Sequence, residues 1–316
     1  MRSWLTALTM LLSLPLLPVS AAAQDWPSRP IQLVIPFPPG GNTDLMARAL
    51  SNELSRALGA TVVAVNRGGA AGAIGNAEIH RARPDGYTIG LSPNNAITTQ
   101  PHIQNTAYSA EGFRYLCLVY DNPQVLILGR NAPFRDFQGM LAHARSGREA
   151  LVYGIPGVGS TQHILMAQLL RAAGVDGLAV PFTGAGPIAQ AALAGQIMAF
   201  VEAATIPAST GLGVLAVLDH QRMPGLPEAP SLAELGMPMR GTTYGGLLAP
   251  ADLPDAIADR IERGCEAAVA SEGFRTAAER LNAVPSFAPG VRFRERFLAE
   301  SQANRALLQE LGIRRE

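Results

Sequence analysis

Short apolar runs alternate with helical patterns along most of the chain. Residues 31–37 form one such run, as expected for a strand that is buried on both faces. Met46, Leu50, Leu54 and Leu58 then recur every four residues, which places them on one face of a helix. The sequence therefore predicts a buried strand followed by an amphipathic helix as its first structural unit.

The same alternation continues beyond this unit. Further strands are predicted at 61–65, 87–91, 124–128, 150–155, 178–182, 197–202, 213–218 and 245–250. Further helices are predicted at 76–82, 162–173, 255–270 and 292–311. Strands that alternate with helices indicate parallel sheets covered by helices on both faces. We therefore expect an α/β fold with two lobes, in which the first lobe (24–123 and 245–316) is interrupted by the second (124–244). The last helix packs on either the first or the second lobe.

The segment between the first strand and helix contains Pro39, Gly40 and Gly41, here called the Pro-Gly-Gly loop. Its two glycines let the backbone turn sharply and approach a ligand closely. Residues 42–44 all have side chains that cap helix starts. Because a helix start carries free N–H groups and a partial positive charge, the loop is predicted to hold an anion. Asp44 either caps the helix or contacts the ligand.

Three other loops follow predicted strands, at 92–96, 157–163 and 182–187. Ser160 or Thr161 is predicted to cap the helix after the second of these loops. In open α/β sheets, ligands bind at the carboxyl ends of the strands, where all these loops lie. Two lobes with such loops would face each other across a cleft.

Composition changes the picture in two ways. Arg2, the apolar stretch 5–17 and the alanines 21–23 are typical of a signal peptide, so we expect residues 1–23 to be cleaved near Ala23 and the protein to be exported to the periplasm. The formal net charge is +0 and the basic residues are all arginine. Nucleic acid is therefore a poor candidate partner, and lysine-dependent Schiff-base or P-loop chemistry is excluded.

The chain has two cysteines, Cys117 and Cys265. For an exported protein we favour a disulfide between them, with two buried free thiols as the alternative. Two cysteines and five scattered histidines give no spacing typical of a metal site. We expect no cofactor and no metal.

Candidate catalytic residues are few. The sequence has no G-x-S-x-G, H-E-x-x-H or Walker motif. Ser160 near His163 suggests a serine hydrolase, the least favoured hypothesis, because neighbours at a helix start point in different directions. His163 is better explained as a packed or capping residue. Glu202 ends an apolar strand and either binds a solute ammonium group or pairs with an arginine. Phe37 and Phe182 either flank the ligand or pack in the core.

Six segments together carry a family resemblance. They are WPSRPIQLVIPFPPGGNTD (26–44), VNRGGAAGAIG (65–75), RPDGYTIG (83–90), YGIPGVGSTQH (153–163), VPFTGAGP (180–187) and GGLLAP (245–250). In this combination and order they resemble the periplasmic receptors of tripartite tricarboxylate transporters, called Bug receptors. The resemblance extends from about Trp26 to Ile313.

The resemblance implies a non-enzymatic, two-lobed periplasmic binding protein of type II (a Venus flytrap), each lobe a mostly parallel sheet flanked by helices. It implies that the cleft binds a small carboxylate, an organic acid or an acidic amino acid. In the first lobe the implied ligand-binding residues are Pro39, Gly40, Gly41, Thr43, Asp44, Ser92, Asn94 and Asn95. In the second lobe they are Gly159, Ser160, Thr161, Phe182, Thr183, Gly184 and Glu202.

The implied partners are the membrane subunits of a transporter, and the alternative is a sensor kinase that reads the liganded form. We expect the receptor to be a monomer. The chain departs from the family pattern at three places. Gly68 follows Asn66-Arg67 where the family has proline, the segment after Glu202 is unusual, and Asn94 and Asn95 replace small residues.

Overall fold

The computed structural model describes residues 26–310, so the predicted signal peptide lies outside the described residues. The strands are β1 (Ile31–Ile35), β2 (Val62–Asn66), β3 (Thr88–Pro93), β4 (Phe113–Leu128), β5 (Val152–Ile155), β6 (Leu178–Pro181), β7 (Ala199–Ala203), β8 (Val214–Val217), β9 (Thr242–Pro250) and β10 (Pro285–Pro289). The helices are α1 (Asn42–Leu58), α2 (Ala73–Arg81), α3 (Asn94–Thr98), α4 (Gln100–Ile103), α5 (Phe137–Ser146), α6 (Thr161–Ala173), α7 (Ala185–Leu193), α8 (Thr205–Thr210), α9 (Asp255–Ala270), α10 (Glu272–Arg280) and α11 (Gly290–Glu310). Across 26–310, none of the helices combines the length and apolarity needed to cross a membrane.

The strands are hydrogen-bonded in the order β2-β1-β3-β9-β4-β7-β5-β6, and β8 and β10 also pair with β4. β1 runs parallel to β2 and β3, and β5 runs parallel to β6 and β7. β4 pairs antiparallel with β7, β8, β9 and β10. The predicted α/β class is confirmed. The sheets are mixed and not mostly parallel, because β4 runs against its neighbours and β9 also runs against β3.

β4 connects the two parts of the sheet. Up to Pro123 it pairs with β9, and from Gln124 onward it pairs with β7 and β8. We call the part with β1, β2, β3, β9 and β10 the first sheet, and the part with β5, β6, β7 and β8 the second sheet. The lobe boundaries given above stay a prediction, with β4 as the strand that both sheets share.

Helices cover both faces of the first sheet. The apolar stripe of α1, from Met46 to Leu58, is buried against α9 and α10 on one face. On the other face α11 packs through Phe293 and Phe297, whose ring centroids are 4.6 Å apart, against Tyr115 and Tyr244. The last helix, whose lobe the sequence left open, therefore lies on the first sheet.

The second sheet is covered in the same way. Leu141 of α5 and Leu169 of α6 are buried on one face, and Ile188 of α7 and Ile206 of α8 are buried on the other. Burial of apolar stripes on both faces of each sheet gives four apolar clusters, two for each sheet, and β4 contributes residues to all four.

Cys117 in β4 and Cys265 in α9 form a disulfide, with their Cα atoms 6.6 Å apart. Both residues are completely buried. The bond joins a covering helix to the central strand of the first sheet.

Candidate functional site

A narrow cavity lies between the two sheets, where α1 begins. Its volume is about 30 Å³, which is room for about two water molecules. The side of the first sheet contributes Phe37, Gly41, Asn42, Thr43, Pro93, Asn95 and Thr243. The side of the second sheet contributes Pro156, Gln162, Ala185 and Glu202. We call this the central cavity, and its small volume describes a closed cleft.

The Pro-Gly-Gly loop is held from behind by Asp44. The Asp44 carboxylate accepts hydrogen bonds from Gly40 N at 2.9 Å, from Arg48 Nε at 2.9 Å and from Asn66 Nδ2 at 2.8 Å. Asn66 Nδ2 also donates to the carbonyl of Phe37 at 2.9 Å. Because its oxygens are occupied by the loop, Asp44 stabilises the loop from outside the cavity. This is close to the capping use expected of the third residue of a helix.

Direct hydrogen bonds join the two walls of the cavity. Gln162 Nε2 donates to Thr243 Oγ1 at 3.5 Å, and a shorter bond lies at the start of α1. Thr205 Oγ1, at the start of α8, donates to Asn42 Oδ1 at 3.0 Å. Both side chains are buried. The bond closes the cleft around the start of α1.

Glu202 lies at the other end of the cavity and is 2 % exposed. Gln162 Nε2 donates to both carboxylate oxygens at 3.1 Å, and Ala203 N donates to Oε1 at 2.9 Å. Burial raises the pKa of Glu202 to about 7, against the opposing effect of these hydrogen bonds. Of the two roles considered for Glu202, pairing with an arginine is not the one seen, since its described partners are an amide and a backbone N–H.

Asn94 and Asn95 of α3 differ in role. Asn95 lines the cavity. Asn94 Nδ2 instead donates to Glu300 Oε1 of α11 at 2.8 Å, and Thr98 Oγ1 donates to the same oxygen at 2.9 Å. The last helix thus holds the short helix that carries Asn95.

Ser160 is the N-cap of α6, where its Oγ accepts a hydrogen bond from His163 N at 3.2 Å. The ring of His163 accepts a hydrogen bond at Nδ1 from Gly159 N, at 3.1 Å. Burial lowers the pKa of His163, which favours this neutral acceptor form. The imidazole therefore stabilises the loop backbone through its hydrogen bond with Gly159 N and does not activate the Ser160 hydroxyl.

A second depression, here called the outer groove, spans both sides of the cleft. It has a volume of about 470 Å³. Its walls are Ala70, Ala71, Gln100, Ile103, Gln104, Gly157, Val158, Gly159, Phe182 and Thr183. Here Gly157 lies close to Ala71 and Gly159 lies close to Ile103, so the two walls approach each other at glycines.

A family model described as the receptor of the tripartite tricarboxylate transporter family matches residues 46–313. The chain belongs to this family. Protein BugT of Bordetella pertussis is 30 % identical over 311 residues, which cover 94 % of this chain and 93 % of BugT.

Solved structures place the receptor among the periplasmic binding proteins. The structure of the periplasmic binding protein BugD matches with a TM-score of 0.86 and 27 % identity, covering 92 % of this chain and 100 % of BugD. An R. palustris protein solved with adipate matches with a TM-score of 0.86 and 25 % identity, covering 92 % of this chain and 100 % of that chain. The predicted family and the predicted fold are confirmed.

The receptor brings together part of the residue set expected from the sequence. The central cavity contains Gly41, Thr43, Asn95 and Glu202. The outer groove contains Gly159, Phe182 and Thr183. The remaining members line neither of these depressions and are Pro39, Gly40, Asp44, Ser92, Asn94, Ser160, Thr161 and Gly184.

Sequence reasoning missed three polar residues of the receptor's cavity, namely Asn42, Gln162 and Thr243. Asn42 was expected only to cap α1. Gln162 lies in the first turn of α6, within the candidate ligand loop 157–163. Its position in the sequence was therefore enough to predict it as a site residue. Thr243 lies in β9, in a segment whose strand was predicted to begin only at 245. Thr243 reaches the cavity because it pairs with Asn122 of β4 in the sheet. The local sequence pattern around Thr243 does not reveal this pairing.

Proposed function

We propose that this receptor is exported to the periplasm, binds a small carboxylate in the central cavity and delivers it to the membrane subunits of a tripartite transporter. The observation that carries the proposal is the position of the cavity at the start of α1, between the two sheets. The first N–H groups of a helix have no partner within it, and its dipole favours an anion there. The match to the adipate-bound R. palustris protein supports a carboxylate.

Binding requires the walls to separate, because the closed cavity is smaller than an organic acid. β4 passes from one sheet to the other at Pro123 and Gln124 and is the natural hinge strand. Closure then brings the two walls together again around the solute. A solute that binds the closed form better shifts the population toward it, and the membrane subunits would recognise that form.

In this proposal the receptor binds its solute and does not convert it. The arrangement of Ser160 and His163 supports binding without catalysis, because the His163 ring accepts a hydrogen bond from Gly159 N and does not activate Ser160. Docking on a sensor kinase is the alternative output, and we propose that the receptor functions as a monomer.

A thermal-shift screen of the mature protein, from Gln24 onward, tests the proposal. The protein is first unfolded and refolded to remove any carried-over ligand, and is then screened against small carboxylates, amino acids and neutral analogues. A ligand present at about 100 times its Kd adds about 2.7 kcal/mol, which for this size raises Tm by roughly 5–10 °C. A shift confined to carboxylates is expected. No shift with any carboxylate would overturn the proposal.

A further inference from the structure

Two buried polar atoms of the cavity lining have no hydrogen-bond partner within the described residues. They are Asn42 Nδ2, a donor, and Gln162 Oε1, an acceptor. Asn42 is 3 % exposed and Gln162 is 5 % exposed, and both side chains line the central cavity. Leaving such a buried group unpaired costs about 1–3 kcal/mol. A bound solute that pairs both atoms would recover this free energy.

The orientation of the Asn42 amide is determined by a backbone donor. Val284 N donates to Asn122 Oδ1 at 2.8 Å, so the other Asn122 amide atom must be the nitrogen. Asn122 Nδ2 then donates to Asn42 Oδ1 at 2.7 Å, and Thr205 Oγ1 donates to the same oxygen. The atom of Asn42 left over is its NH₂ group. The end of the cavity next to the Pro-Gly-Gly loop therefore offers hydrogen-bond donors.

The opposite end offers acceptors. The Ala203 N–H bonds to Glu202 Oε1, which makes that oxygen an acceptor. Gln162 turns its NH₂ group toward the Glu202 carboxyl and keeps its carbonyl oxygen unpaired. The acceptor oxygens of Glu202 and Gln162 thus lie together at the end of the central cavity opposite the Pro-Gly-Gly loop. Among the described residues that line this cavity, Glu202 has the one ionisable side chain, and no arginine balances it.

We propose that the solute carries a carboxylate at the Asn42 end and a primary amine or primary amide at the Glu202–Gln162 end. This inference rests on the proposed function and narrows its substrate class. A nitrogen with two or more N–H groups can donate to Gln162 Oε1 and to the Glu202 carboxyl at once, whereas a hydroxyl has a single donor. When Glu202 is ionised, a second carboxylate would place like charges together in a buried site whose described lining has no cation.

Titration calorimetry with matched probes tests this assignment. For each of three chain lengths, the probes are the dicarboxylate (succinate, glutarate, adipate), its monoamide and the ω-amino acid of similar length. We expect a monoamide or an ω-amino acid to bind at least roughly tenfold more tightly than the matching dicarboxylate, the difference expected for one hydrogen bond to a charged group.

Two variants assign the preference to its residues. Glu202→Gln keeps an acceptor for Ala203 N but removes the charge, and we expect the preference for the ω-amino acid to be lost. Gln162→Met removes the unpaired carbonyl and is expected to weaken the monoamide by roughly tenfold. Glu149→Gln, at an exposed position near the second sheet, is the control and should bind like the wild type. Far-ultraviolet circular dichroism checks that each variant is folded.

The outcomes separate the two proposals. Tightest binding of a dicarboxylate by the wild type would overturn this inference and leave the carboxylate receptor intact. An amine or amide preference that survives in Glu202→Gln and in Gln162→Met would overturn the assignment to this end of the cavity. Failure of every probe and of every carboxylate in the screen would overturn both.

Discussion

Gly186 of α7 lies so close to the carbonyl oxygen of Pro39 that a Cβ atom on Gly186 would be 2.2 Å from that oxygen. The two residues belong to opposite walls of the cleft, one next to the second sheet and the other in the Pro-Gly-Gly loop. Gly184 faces Pro38 in a similar way, with a Cβ position 2.9 Å from Pro38 Cδ. The closed form therefore depends on glycines that let one wall reach the backbone of the other.

We predict that Gly186→Ala prevents full closure. The added methyl group would overlap a backbone oxygen that has no flexible end to move aside. Alanine is favoured over glycine within a helix by about 0.5–1 kcal/mol, so the variant should fold. We expect its affinity for the ligand found in the screen to fall by roughly tenfold or more, corresponding to about 1.4 kcal/mol. Calorimetry measures the affinity, and small-angle X-ray scattering with ligand measures the compaction.

Gly41→Ala is the matched control for this prediction. It lies at the same interface, but its added Cβ would be 3.5 Å from Ala185 Cβ, which is an ordinary contact. Its φ of −85° suits any residue. We expect Gly41→Ala to compact with ligand as the wild type does. Equal ligand-induced compaction of Gly186→Ala would show that the contact with Pro39 does not control closure.

A second prediction concerns Asp44. Asp44→Ala leaves Gly40 N without its acceptor and removes one of the two acceptors of Asn66 Nδ2. We expect a loss of about 1–3 kcal/mol of unfolding free energy and weaker solute binding, because the loop loses its support. Asp255→Ala is the control. Like Asp44, Asp255 lies in the first turn of a helix and pairs with an arginine, but its side chain is 82 % exposed. Urea unfolding should show about 1 kcal/mol or less for that variant. A comparable loss in both variants would contradict the supporting role.

Asp44 also shows what the sequence could predict about the site and what it could not. A carboxylate in the first turn of a helix, after two glycines, predicts either a cap or a ligand contact. The choice depends on Arg48 and Asn66, and Asn66 comes from β2. Likewise, Glu202 was found by its place at a strand end, but its partner Gln162 comes from α6. Local pattern locates the site, and tertiary contacts assign the roles.

The fold follows the same rule. Helix α9 was predicted at 255–270 and spans Asp255–Ala270, because its apolar period and flanking residues are local signals. Strand β4 was predicted only at 124–128, whereas it begins at Phe113. Its first part is buried by pairing with β9, which is more than a hundred residues away in the sequence. A strand of this kind alternates weakly, so its extent is determined by its neighbours.

A third prediction uses the raised pKa of Glu202. Burial moves this pKa from 4.5 to about 7, so the folded protein binds the proton more tightly than the unfolded chain. The contribution of Glu202 to the unfolding free energy of the ligand-free protein should therefore fall by up to about 3 kcal/mol as the pH rises from about 4.5 to about 7, and this contribution is fully present below that window.

Glu202→Gln isolates this effect, because it cannot titrate. Other carboxyl groups contribute equally to both proteins, so the difference in unfolding free energy between wild type and variant is the quantity to follow. We expect the unfolding free energy of the variant to increase relative to that of the wild type as the pH rises from about 4.5 to about 7. A difference that is constant from pH 4.5 to pH 7 would contradict the assignment of the raised pKa. Tyr120, which also interacts electrostatically with Glu202, titrates far above this range.

A fourth prediction concerns the disulfide between Cys117 and Cys265, which are 148 residues apart in sequence. Such a bond restricts the unfolded chain, and its loss typically costs roughly 2–5 kcal/mol. Reductant added to the unfolded protein before refolding should lower Tm without abolishing ligand binding, since neither cysteine lines the cavity. The Cys117→Ala/Cys265→Ala double variant should have the lower Tm with or without reductant. If reductant does not change the Tm of the wild type under these conditions, the two cysteines are unpaired thiols and the prediction is wrong.

The last prediction links α11 to the cavity through Glu300. Its carboxylate accepts hydrogen bonds from Asn94, Thr98 and the Tyr244 hydroxyl. The first two donors belong to α3, whose Asn95 lines the cavity. Glu300→Ala leaves all three donors without this acceptor. We therefore expect it to lower the unfolding free energy by about 1–3 kcal/mol and to weaken solute binding although Glu300 is outside the cavity.

Glu295→Ala, on the same helix, is the matched control, because Glu295 pairs with Arg292 on an exposed surface where both side chains are more than half exposed. Such pairs contribute about 0–1 kcal/mol. Hydrogen exchange gives the readout that separates positioning from general destabilisation. In Glu300→Ala the amides of α3 should exchange faster at pH and temperature where those of α1 and α6 are unchanged. Uniform acceleration across the three helices would mean that Glu300 supports the fold as a whole and does not position Asn95.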